Sequence, residues 1–65
     1  MKLTKQLSKY DKIHISNEIT NLINSMGYEA FWMEDSNGDI IVRMKLLNNN
    51  NQTIYLTIAN FRKDI

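Results

Sequence analysis

The chain has no cysteine and no proline, and only two glycines and one histidine in 65 residues. Without cysteine there is no disulfide framework and no thiolate zinc site. A single histidine, His14, has no second nitrogen ligand and no serine or cysteine nucleophile pattern beside it, so it reads as a helix-start or surface residue. Long apolar runs are also missing, and a helix spanning a bilayer needs roughly 20 consecutive apolar residues. The first twelve residues carry four lysines with no apolar block behind them, so no secretory signal is expected and the cytoplasm is the expected location. Charge of one sign is missing too: the net value is +1, which excludes both a polyacidic mimic of DNA and a strongly basic coat for nucleic acid.

What remains is an ordinary globular composition, 43% hydrophobic and 23% charged, in a chain that makes one small domain. A domain of this size buries only about 60% of the surface its unfolded chain exposes. An enclosed catalytic pocket would use core that it cannot spare, so the expectation is a protein that is not an enzyme and needs no cofactor or metal.

The helical signal is clear. Ile15, Ile19, Leu22, Ile23 and Met26 fall on one helical stripe, polar residues lie between them, and Gly27 follows as a C-terminal cap. These spacings predict a helix over 15–27. Ser8, with Asp11 three residues on, offers an earlier start. However, Leu3, Leu7 and Tyr10 would point away from the Ile15 stripe in a continuous helix. That conflict favours a break, with residues 1–14 as a basic arm or a separate short helix.

Strand patterns fill residues 28–59. Tyr28–Glu34 is rich in aromatics, Ile40–Leu47 is apolar, and Asn37-Gly38 lies between them as a hairpin signal. A two-residue Asn37-Gly38 loop would set Ser36 opposite Asp39, Met33 opposite Val42, Trp32 opposite Arg43 and Phe31 opposite Met44. The acidic tip contains part of a calcium loop, but Lys45 and Leu46 stand near the place where the closing glutamate would be, so a plain turn is expected. The polar loop 48–52 leads to Thr53–Ala59, where Ile54, Leu56 and Ile58 alternate with Thr53, Tyr55 and Thr57. Residues 60–65 are expected as a tail, either frayed or a short helical turn tucked in by Phe61. Asn51-Gln52-Thr53 spells a glycosylation sequon, which carries no meaning without secretion.

The resulting expectation is an α+β domain in which one main helix packs on a three-stranded antiparallel meander of order 1-2-3. The helix-side face would collect Phe31, Met33, Ile40, Val42, Met44, Leu46, Ile54, Leu56 and Ile58. The other face would carry Tyr28, Ala30, Trp32, Ile41, Arg43, Lys45, Leu47, Thr53, Tyr55 and Thr57. Aromatic and arginine side chains are enriched at recognition surfaces, so Tyr28, Trp32, Arg43, Lys45 and Tyr55 are the candidate partner-binding residues. The function this suggests is binding of a protein partner, as an inhibitor or regulator. The first alternative is nucleic-acid binding by the same sheet with Lys2, Lys5, Lys9, Lys12, Arg43 and Lys45. The second is a structural subunit stable only as an oligomer, with the uncharged third strand open to pairing as a homodimer edge.

The element order resembles the small folds of double-stranded-RNA-binding domains and of some toxin-type RNases. Two departures stand out: His14 lies before the helix rather than in the sheet, and no basic second helix follows unless residues 60–65 begin one. The abundance of Asn, Ile and Lys resembles the composition of proteins from AT-rich bacteria and their phages. Short, cysteine-free, non-catalytic chains of that kind include inhibitors of host enzymes and anti-CRISPR proteins.

Overall fold

The computed structural model describes residues 6–63. One helix, α1 (Lys9–Ser25), precedes three strands, β1 (Glu29–Glu34), β2 (Ile40–Leu47) and β3 (Thr53–Phe61). The strands form an antiparallel sheet in the order β1-β2-β3, as the strand patterns predict. The fold is α+β, with the helix packed on the sheet.

The predicted break before residue 15 does not occur. Ser8 and Asp11 form a capping box: the Asp11 amide donates to Ser8 Oγ at 3.1 Å, and the Ser8 amide donates to Asp11 Oδ2 at 3.2 Å. This reciprocal pair satisfies two amides that a helix start leaves open. It starts α1 at Lys9, and Tyr10 simply stays 88% exposed. Leaving one tyrosine in water thus replaces the break. Leu3 lies outside the described residues. At the other end, Tyr28 N–H donates to Ile23 O and Gly27 N–H to Asn24 O, with Gly27 at φ 95°. That is a Schellman ending, and it requires a left-handed residue where glycine stands.

The first hairpin differs from expectation by one residue. Gly38 has φ 86°, but Asn37 is not in the positive-φ region, so the pair does not make a type I′ turn. Asp35 decides the geometry. Its Oδ1 accepts from the amides of Asn37 and Asp39, both at 2.9 Å, and its carbonyl accepts from Gly38 N–H at 3.0 Å. The loop is therefore three residues, Ser36-Asn37-Gly38, closed by Asp35 N–H to Asp39 O at 2.9 Å. The second hairpin repeats the device. Asn48 Oδ1 accepts from the amides of Asn50 and Gln52, and Asn51 takes the left-handed position at φ 61°. Asparagine tolerates that conformation better than other L-residues.

A three-residue loop moves β1 by one position against β2. Trp32 pairs with Val42, Phe31 with Arg43, Met33 with Ile41 and Ala30 with Met44. Because side chains alternate, a one-residue slip exchanges the two faces of a strand. β1 accordingly presents Ala30, Trp32 and Glu34 to the helix side, and Phe31 and Met33 to the outside. A bulge between Val42 and Arg43 does the same to the end of β3: Arg43 pairs with Thr57 but Val42 with Ala59, so Ile58 has no partner. Beyond the bulge Ala59 and Phe61 lie on the helix side, and half-buried Phe61 pairs with Ile40 as the last residue of β3 rather than as part of a tail.

The buried hydrophobic residues among those described are Ile23, Ile40, Ile41 and Val42. Each contributes about 1.5–3 kcal/mol, which is modest beside the entropy lost in ordering the chain. The helix faces the sheet with Lys12, Ser16, Thr20 and Ile23, not with its apolar stripe. Ser16 and Thr20 are buried there although both are polar. The stripe itself turns aside: Ile15 and Ile19 are half-buried, and Leu22 and Met26 are 63% and 65% exposed.

Candidate functional site

The outer face of the sheet is built from three cross-strand rows. They run Glu29–Lys45–Tyr55, Phe31–Arg43–Thr57 and Met33–Ile41–Asn60. Phe31 and Tyr55 meet across the sheet diagonal, with ring centroids 6.0 Å apart and planes at 76°, an edge-to-face contact. Both rings remain exposed. Lys45 Nζ lies 3.4 Å from Glu29 Oε2. The Nε of Arg43 is buried and has no hydrogen-bond partner among the described residues. A shallow cleft of about 360 Å³ opens beside this group, lined by Asn24, Glu29, Ala30, Phe31, Lys45 and Tyr55.

Of the five residues singled out from sequence, Arg43, Lys45 and Tyr55 do share the outer face. Trp32 does not: it is half-buried on the helix side with Val42 as its partner. Its assignment to the outer face is corrected by the three-residue loop, and Phe31 takes the place expected of the indole. Tyr28 is exposed but precedes β1 and pairs with no strand residue. The sequence does contain a signal for the correct register. An aspartate directly before Ser-Asn-Gly can accept from two loop amides and start a type I turn, which leaves only glycine to go left-handed.

The lysines proposed for nucleic acid are not gathered on that face. Lys2 and Lys5 lie outside the described residues. Lys9 Nζ is 3.1 Å from Glu34 Oε1, on the helix side. Lys12 is buried between helix and sheet, and its Nζ donates to the Arg62 carbonyl at 2.6 Å. These two lysines are thus in a different layer from Arg43 and Lys45. His14 is an exposed helix residue. The acidic tip serves the chain itself: Asp35 holds the turn and Asp39 Oδ1 accepts from Lys63 N–H at 2.8 Å.

Among the described residues no three His, Cys, Asp or Glu side chains come together as a metal site, and no helix is long and apolar enough to cross a membrane. No family model, curated protein or solved structure matches the chain.

Proposed function

We propose that the protein is a non-enzymatic binding protein that engages a protein partner through the outer sheet face, and acts by occupying that partner as an inhibitor or regulator. The observation that carries the reading is the group around Arg43. Beside it Phe31 and Tyr55 are exposed and meet edge to face, so a partner laid over the two rings would meet the aromatic and arginine composition of an interface hot spot. Nucleic acid is the less favoured ligand for this face. The Glu29 carboxylate offsets Lys45, so the patch keeps about one net positive charge, whereas phosphate tracking depends on several cations in line.

The test is affinity capture from the native host with the wild-type chain and with Arg43→Glu and Tyr55→Ala, followed by titration of the purified partner. Each variant is expected to weaken binding at least tenfold. Equal recovery of the same protein by all three would refute a role for this face. A mobility shift with single-stranded oligonucleotides that vanishes between 50 and 200 mM salt, at roughly the steepness of several phosphate contacts, would favour the nucleic-acid reading instead.

A further inference from the structure

On its opposite face the molecule is open along one side. Contacts along the helix show which side. Lys9 reaches Glu34 of β1, and the Asn24 side chain accepts from Ala30 N–H of β1, at 2.8 Å. Lys12 instead reaches the Arg62 carbonyl, at the end of β3. With 3.6 residues per turn, Ile15, Ile19, Leu22 and Met26 lie on the Lys12 side of the sheet-facing line, roughly a quarter turn from it. The apolar stripe is therefore a wall that looks out over β3.

The floor below that wall is uncovered. The helix packs chiefly on β1 and β2. A helix is about 10 Å across and strands are about 4.8 Å apart, so one helix covers two strands. On β3, Ile54 and Leu56 point to the helix side beside Leu46 and Met44, and are 45% and 50% exposed. Wall and floor make an L-shaped apolar groove.

We infer that the groove is the interface of a homodimer, in which the α1 wall of one copy rests on the β3 floor of the other about a two-fold axis. Three features favour a second copy as the occupant. Wall and floor belong to one chain, so a two-fold axis pairs each with its complement twice, as an isologous contact requires. The wall and floor residues named above are all uncharged, so self-association brings no like charges together there. The area also suffices. Leu22, Met26, Ile54 and Leu56 offer on the order of 100 Å² each, and the half-buried Ile15, Ile19, Met44 and Leu46 add smaller shares. That gives about 550 Å² per copy and about 1,100 Å² for the pair, which clears the roughly 1,000 Å² of a specific interface. This face is separate from the Arg43 patch, so the two proposals stand or fall independently.

Sedimentation equilibrium of the full chain from about 1 to 500 μM tests the inference, with far-UV circular dichroism reporting the fold of each variant. The wild type is expected to reach twice the chain mass. Leu22→Lys and Leu56→Glu should each sediment as monomers with unchanged helix content, whereas Arg43→Glu should remain a dimer. An equimolar mixture of the two groove variants should regain the dimer, because one contact then pairs lysine with glutamate and the other is wild type. A wild-type monomer at 500 μM would overturn the proposal and leave the groove to another partner. So would a dimer that both groove variants preserve, or a mixture that stays monomeric.

Discussion

Ser16 sits on the sheet-facing line of α1 with no exposed surface, and its Oγ meets no hydrogen-bond partner among the described residues. A buried hydroxyl left without a partner costs about 1–3 kcal/mol. Alanine removes it, and adds up to roughly 0.7 kcal/mol from its better helix propensity. Against this stands a void of one oxygen atom; at about 24 cal/mol per Å³ of cavity it costs only a few tenths of a kcal/mol. The sum predicts that Ser16→Ala stabilises the fold by about 1.5 kcal/mol. In a domain of this size each kcal/mol raises Tm by roughly 4–8 °C, so a rise near 9 °C is expected. The assay is thermal and urea unfolding followed by circular dichroism, at one fixed protein concentration because association also shifts Tm. The m-value should not change. A loss of stability on substitution would mean instead that the hydroxyl holds a bond the fold depends on. Thr20→Val gives an independent check at the second unpartnered hydroxyl, with a smaller gain because valine is a weaker helix former than alanine.

Ser8→Ala removes the acceptor of the capping box and should cost about 0.5–2 kcal/mol, read in the same unfolding assay, with fraying seen as faster amide exchange in the first turn of α1. Gly38→Ala places a side chain at φ 86° and a Cβ 2.9 Å from Lys63 Cδ. The lysine can swing away, but the backbone cannot, so a loss of about 1–2 kcal/mol is expected, and Lys63→Ala should not rescue it.

Much of the fold was legible along the chain because the signals are local. The alternation in Thr53–Thr57, the glycine after Met26 and the polar loop at 48–52 each act within a few residues, and the helix end and the strands formed within about two residues of their patterns, whereas α1 starts at Lys9 rather than at residue 15. The capping box was legible too. The apolar stripe points the other way, toward a core-facing surface that the helix does not use. Among the site residues, Arg43, Lys45 and Tyr55 reached the outer face because β2 and the first part of β3 keep the expected alternation through Thr57. Trp32 did not, because its side depends on the length of the Ser36-Asn37-Gly38 loop.

Local chemistry along the chain therefore sets which segments coil, extend or turn. It does not set how the helix rolls on the sheet, and it sets the face of β1 only through the length of one loop. A strand's two sides differ by a single step of register, and a helix can roll by a quarter turn, with little change in any near-neighbour interaction. Here the register came from the Asp35 carboxylate closing a three-residue loop. The roll buries Ser16 and Thr20 while Lys12, Lys9 and Asn24 tie the helix to the two sheet edges. The Lys12 bond spans 50 residues, so its free energy exists only once helix and sheet are in place, whereas the Asp35 bonds span two and four residues and act locally.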